Sequence, residues 1–234
     1  MNCLTDWNCG LLPNGLELIG SVPDAVSALR ILSERSGIHR FCFLPVFDPE
    51  QESLSAFLLK RDRAIRTLSA RLPTGFRLLA AARIVLPRDG VLPDDPKLKK
   101  LCIPATTCLP VTFCLWESPT EIENRLARLA RHSGYAILLP SAERVLSVFP
   151  QAVSERIFRL PGMVFQFSYD SIGSESVRTV LSDLLFRKVP VLFGSGVSSK
   201  MQAGLFDLAF DLEIARAHFD RFAFESLFYD DRIV

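Results

Sequence analysis

Histidine is scarce in this chain, three residues in 234, and His39, His132 and His218 are dispersed too widely to share a ligand. No H-x-H or H-E-x-x-H occurs, which excludes the common histidine-based metal motifs. The phosphate-cradling patterns G-x-x-x-x-G-K-[ST] and G-x-G-x-x-G are also missing. The G-x-S-x-G nucleophile elbow is only approximated, by "GSGVSSK" at 194–200. The six cysteines (Cys3, Cys9, Cys42, Cys102, Cys108, Cys114) form no C-x-x-C pair, and none is followed six positions later by arginine. Zinc knuckles and the cysteine-nucleophile phosphatase loop are therefore excluded. The formal charge of +1 gives no global attraction to nucleic acid or to an anionic membrane. The beginning of the chain lacks a basic segment followed by an apolar core, and no apolar stretch reaches about 18 residues. These absences predict a cytoplasmic protein with no membrane insertion.

What is present is a globular composition, 49% hydrophobic and 23% charged. Nearly continuous apolar runs recur along the chain: "FCFLPVF" (41–47), "FRLLAAARIVL" (76–86), "LPVTFCL" (109–115), "YAILLP" (135–140), "MVFQFSY" (163–169) and "VPVLFG" (189–194), with "NCLTDWNC" (2–9) as a weaker first member. Such runs suit strands covered on both faces, as in parallel sheets. Four of the six cysteines fall in these runs and read as buried, reduced thiols. Cys102, Cys108 and Cys114, six residues apart, read as one face of extended chain.

Helical patterns lie between the runs. Val22, Val26, Leu29 and Leu32 form a stripe behind Ser21 and Asp24 at capping-box spacing. Ser118, Pro119, Thr120 and Glu121 place a cap, a first-turn proline and a reach-back glutamate ahead of Ile122, Leu126 and Leu129. Val177, Val180, Leu181 and Leu184 repeat the pattern. The segment 86–101 is the longest polar interruption and reads as a surface loop. Seven strand–helix alternations with no linker or repeat predict a single domain over 1–234, a closed or nearly closed (β/α) barrel. A doubly wound open sheet is the alternative. In a barrel, functional residues belong on the loops after the strands.

Read in order, the strand ends resemble one family. "TDWNCGLLP" resembles the D-x-H-x-H-x-L-P opening of the PHP (polymerase and histidinol phosphatase) superfamily, and within it the metal-dependent protein-tyrosine phosphatases of bacterial capsule and exopolysaccharide operons. "FLPVF" is similar to T-P-H-F, "LLAAARI" to L-x-G-A-E-I, "AILLPSAERV" to P-V-L-A-H-P-E-R-Y, "VFQFS" to Q-[IV]-N and "VLFGSGV" to V-I-A-S-D-A-H. The tail "LFYDDRIV" resembles the closing L-x-x-x-N-P-x-K-I-L. The order holds across essentially the whole chain. The resemblance implies a distorted (β/α)7 TIM-like PHP barrel and, in the family, a divalent cluster such as manganese.

The departures fall on the metal ligands. Asn8 and Gly10 stand for the first two histidines, Val46 for the third, Arg83 for a glutamate, Ser141 for a histidine, and Ser195 and Val197 for the final aspartate and histidine. A further glutamate position falls near Thr112, and Glu17 is nearest to another aspartate. Gly10, Val46 and Val197 carry no side-chain donor, and Asn8 and the serines are weak neutral oxygen ligands. A cation such as Arg83 at about 4 Å from a divalent ion costs as much as ~8 kcal/mol at an effective dielectric near about 20. What remains of the family motifs is Asp6, Glu143, Arg144 and Gln166.

The resemblance with these losses implies a catalytically inactive relative that needs no metal cofactor and acts as a binding or regulatory protein. Arg83, Arg144 and Lys200 would bind phosphate without metal. The implied partner is the phosphotyrosine-bearing tail of a bacterial tyrosine kinase or a polysaccharide-export component. The Glu143-Arg144 pair is read either as a relic of phosphate recognition or as a helix-start ion pair. A second reading keeps an active phosphoesterase on a rearranged or metal-independent site, with Cys9, Ser141 or Ser195 as nucleophile and Glu143 as base. A third is a scaffold that oligomerises through aromatics of the tail "HFDRFAFESLFY" (218–229), which read equally as core packing.

Overall fold

A computed structural model describes residues 4–13, 16, 19–114 and 117–228. Cys3, Glu17 and the last residues of the tail motif lie outside these. Every one of the seven apolar runs forms strand. The strands are β1 (Thr5–Cys9), β2 (Arg40–Phe43), β3 (Val46–Phe47), β4 (Arg77–Ala80), β5 (Arg83–Val85), β6 (Cys108–Thr112), β7 (Ala136–Leu139), β8 (Met163–Ser168) and β9 (Val191–Gly194). All pairings are parallel, in the orders β1-β2-β4 and β3-β5-β6-β7-β8-β9.

Two runs each supply two strands because the ladder is interrupted at the same level. Pro45 has no N–H to donate, and Ala81-Ala82 lies opposite. Backbone bonds from Ala81 N to the Phe43 carbonyl (3.2 Å) and from Arg83 N to the Pro45 carbonyl (2.9 Å) carry the chain across the gap. The last strand returns beside the first. Gly10 N donates to the Val197 carbonyl at 2.8 Å and Gly196 N to the Asn8 carbonyl at 3.0 Å. A Cβ on Gly194 would stand 2.6 Å from Asn8 N, so this approach requires glycine.

The helices are α1 (Val22–Ser36), α2 (Leu54–Ser69), α3 (Pro119–His132), α4 (Glu143–Val148), α5 (Gln151–Phe158), α6 (Glu175–Phe186), α7 (Lys200–Leu205), α8 (Leu208–His218) and α9 (Arg221–Phe228). Ser21 caps α1 by accepting from Asp24 N at 3.2 Å, as the sequence predicts. Ser118 holds the expected N-cap position of α3, but its side chain makes no cap bond; Pro119 at the start of the helix sets the entry instead. The 86–101 segment folds back through a 3-10 turn, Pro96–Lys100, that buries Leu98 and Leu101.

Alternation along the strands divides the core in two. Phe41, Phe43, Ile137, Leu139, Phe165, Phe167 and Phe193 pack with the buried stripes of the helices. Trp7, Cys42, Leu44, Ala81, Ile103, Cys108, Leu138, Val164 and Leu192 gather in a second cluster that contains no helix residue. Cys9, Cys42, Cys102 and Cys108 are buried and free, and Cys114 is exposed. Cys102, Cys108 and Cys114 do not share one strand face: Cys102 precedes β6, Cys108 begins it and Cys114 follows it. The tail aromatics are mostly core. Phe228 lies 4.6 Å from Phe193 and 4.9 Å from Phe224 between ring centroids, while Phe222 is exposed. Among the described residues no helix is long and apolar enough to cross a membrane.

Candidate functional site

The polar residues of the strands sit where the second cluster ends. One step of the alternation beyond Val164 is Gln166, and just past Leu192 and Gly194 is Ser195. On β1, Asp6 and Asn8 are two residues apart and share a face, and the register slips between Asp6 and Cys9. The result is a buried polar layer that closes the C-terminal ends of the strands.

Asp6 is fully buried and saturated with donors. Its Oδ1 accepts from Ser195 N (2.8 Å) and Asn8 N (3.1 Å), and its Oδ2 accepts from the Ser195 hydroxyl (2.5 Å). Ser195 Oγ in turn accepts from Val197 N at 3.2 Å. Burial pushes the Asp6 pKa up, against the lowering effect of the Ser195 and Asn8 bonds. Beside this pair, Asn8 Nδ2 donates to Gln166 Oε1 (3.0 Å) and to Ser141 Oγ (3.3 Å). Gln166 Oε1 also accepts from Ser141 N (2.9 Å), and the Gln166 carbonyl accepts from Ala142 N (2.8 Å). These bonds hold Ser141 at φ 53°, a left-handed conformation uncommon outside glycine.

A cleft of about 690 Å³ opens over this layer, and Asn8, Gly10, Arg83, Ser141, Glu143, Arg144, Ser195 and Val197 all reach its wall. A small second cavity adjoins it at Arg83, Ser141 and Arg144 and takes in Thr112. The Arg83 Nε donates to the Leu44 carbonyl at 2.6 Å. Arg144 is exposed, and no salt bridge joins it to Glu143. The Glu143 carboxylate instead accepts from Ser168 N (3.3 Å) and Ser168 Oγ (3.1 Å), and burial pushes its pKa up. The helix-start ion pair is thus corrected: the Glu143 carboxylate is held by Ser168 at the end of β8, and Arg144 stands exposed at the cleft. Lys200 begins α7, exposed, and is not part of the cleft wall. Cys9 is fully buried, which removes it as an accessible nucleophile.

The cleft wall also carries residues that sequence patterns did not single out. Asp170 lies on the 3-10 turn Tyr169–Gly173 after β8, Asp207 caps α8 by accepting from Phe210 N at 3.1 Å, and Asp211 follows one turn on. Burial first, then the charges of Asp170 and Asp207, raise the Asp211 pKa from the usual 3.8 to about 6. The cap spacing of Asp207 and Phe210 was a visible signal for the helix start. The approach of that start to the β8 loop was not.

The seven substituted positions do not fit a divalent cluster. Asn8 Nδ2 and the hydroxyls of Ser141 and Ser195 already bond one another, Gln166 or Asp6, and all three residues offer only weak neutral oxygens. A Cβ at Gly10 would stand 3.0 Å from Ser198 Cβ and 3.2 Å from the Val197 carbonyl, so a side chain there requires the 195–198 loop to move. Val46 is exposed and Val197 buried, and neither offers a donor. Among the described residues no group of three or more His, Cys, Asp or Glu side chains is arranged to hold a metal ion.

No protein-family model matches the chain, and no curated protein sequence matches it. In three dimensions it is similar to a chain from the crystal structures of YwqE from Bacillus subtilis and CpsB from Streptococcus pneumoniae, described as unique metal-dependent tyrosine phosphatases. The TM-score is 0.68 at 16% identity, over 95% of this chain and 91% of that one. The resemblance read from the strand ends is thereby found again in the fold.

Proposed function

We propose that this chain is a catalytically inactive relative of the PHP-type metal-dependent protein-tyrosine phosphatases, retained as a cytoplasmic binding or regulatory protein. Its two sheets are read as one distorted (β/α)7 barrel. The backbone bonds between the β1 and β9 ends support this, as does the strand cluster that no helix enters. An open doubly wound sheet would cover that second face with helices.

The observation that carries the functional reading is the Asp6–Ser195 and Asn8–Gln166–Ser141 network. It satisfies internally the polar groups at strand ends where the relatives hold metal. The cleft above it keeps Arg83 and Arg144, whose guanidinium groups suit a phosphate without metal. The expected ligand is a phosphotyrosine peptide, such as the tail of a bacterial tyrosine kinase or a segment of a polysaccharide-export protein. Lys200 would act from outside the cleft wall. Fluorescence anisotropy with a labelled phosphotyrosine peptide tests this. Binding should exceed that of the unphosphorylated peptide and fall about tenfold in Arg144→Ala, the loss of one charge-assisted contact. Equal binding of the two peptides, or no effect of the substitution, contradicts it.

A second reading has one observation in its favour. The Ser195 hydroxyl lies 2.5 Å from Asp6 Oδ2 and reaches the cleft, a nucleophile and base without metal. Ser195 Oγ would attack phosphorus and pass its proton to Asp6, which returns it to the departing oxygen as the ester P–O bond breaks; the alcohol leaves, and water hydrolyses the phosphoserine to serine and inorganic phosphate. Aryl-phosphate turnover that persists in excess chelator and disappears in Ser195→Ala would establish it.

A further inference from the structure

Asp211 is unlike the other buried carboxylate of this site. It is 7% exposed, as buried as Asn8 and nearly as buried as Asp6, yet none of the described residues donates a hydrogen bond or an ion pair to it. Its neighbours in the cleft are Asp170 and Asp207, both exposed and both of the same sign. The start of α8 favours negative charge, but Asp207 already takes the cap position. A buried anion facing two more is costly in the free protein, and a bound cation removes that cost.

The same cleft supplies an apolar lip. Leu205 and Phe210 are among its lining residues, and they are 74% and 60% exposed. Met201, one turn before Leu205 on α7, is 73% exposed. Large apolar side chains left in water beside carboxylates suit a ligand with a charged head and an apolar stem. A compact metal ion does not use such a lip. The aromatic ring of Phe210 also accepts a guanidinium on its face.

We propose that the Asp170, Asp207 and Asp211 part of the cleft wall is a subsite for the basic side chain of a partner peptide, arginine or lysine. An adjoining apolar residue of that peptide packs on Leu205 and Phe210. This rests on reading the cleft as a binding site, and it adds cation-reading carboxylates to the anion-reading Arg83 and Arg144 of the same cleft. A ligand that carries an acidic or phosphorylated residue and a basic one would span both.

The test uses the intact chain and two small probes, N-acetyl-arginine methyl ester and its neutral, shape-matched citrulline analogue, followed by amide NMR titration. The arginine ester should give saturable shifts in α8 and in the 169–173 turn. The citrulline ester should bind about tenfold more weakly, and Asp211→Asn should weaken the arginine ester by a similar factor. Asp170→Asn, at an exposed position that does not endanger folding, should weaken it as well. Equal binding of the two esters, no saturable shift, or unchanged affinity in both variants overturns the proposal. So does tighter occupation of the same amides by calcium or manganese. Failure of the anion-binding reading is separately visible, in the phosphotyrosine peptide and Arg144→Ala.

Discussion

Ser195 donates both its backbone N–H and its hydroxyl to the carboxylate of Asp6, at 2.8 and 2.5 Å, and so ties the end of β9 to β1. Asp6→Ala would leave Ser195 N and Asn8 N without their acceptor in a buried site. Each stranded donor costs about 1–3 kcal/mol, so a loss of roughly 2–6 kcal/mol is expected in urea unfolding. A change below about 0.5 kcal/mol would mean that the network does not hold the strand ends.

The neighbours Glu143 and Arg144 separate the structural role from the binding role. Glu143→Ala removes the acceptor of Ser168 N and Oγ and should destabilise by about 1–2 kcal/mol. Arg144→Ala, at an exposed position with no salt bridge among the described residues, should change stability by less than about 0.5 kcal/mol. Parallel denaturation curves of the two variants check this.

The pH dependence of stability should carry the mark of Asp211. Its folded pKa of about 6 lies above the usual 3.8, so the native chain binds more protons than the unfolded chain between these values. The stabilising effect of the protonated group is complete below pH 3.8 and is lost as pH rises through about 6. The shift corresponds to roughly 3 kcal/mol at most. Asp211→Asn should therefore gain on the native chain progressively from pH 4 to 7 in matched melts. Asp6 and Glu143, also raised by burial, give slopes of the same sign that persist in the variant.

Thiol labelling should discriminate sharply among the described cysteines. Burial pushes Cys108 up to about 12 and Cys102 to about 11, and it raises Cys42 as well. Cys114 is exposed. Peptide mapping after a brief exposure to a thiol reagent at pH 8 should find Cys114 modified and Cys9, Cys42, Cys102 and Cys108 intact until the chain is unfolded.

The strands were legible because burial on both faces leaves uninterrupted apolar runs, and each such run forms strand. The breaks at Pro45 and at Ala81-Ala82 were hidden inside two of them, since a run of apolar residues does not record where its backbone ladder lapses. Ser118 has the right residue in the right place without its cap bond, because pattern fixes position and not rotamer. The substituted ligand positions were readable one by one from order along the chain. Their mutual bonds, Asn8 to Gln166 across 158 residues and Asp6 to Ser195 across 189, exist only in the fold. Asp211 left no local mark, since its unusual state comes first from burial in the fold and then from Asp170 on another element.

The most direct test of the central claim is manganese stoichiometry by elemental analysis, on purified protein incubated with manganese and then desalted, with an aryl-phosphate assay on the same sample. The account predicts well under one bound manganese per chain and no manganese-dependent turnover. Two or more manganese ions per chain with turnover that follows the metal would contradict it.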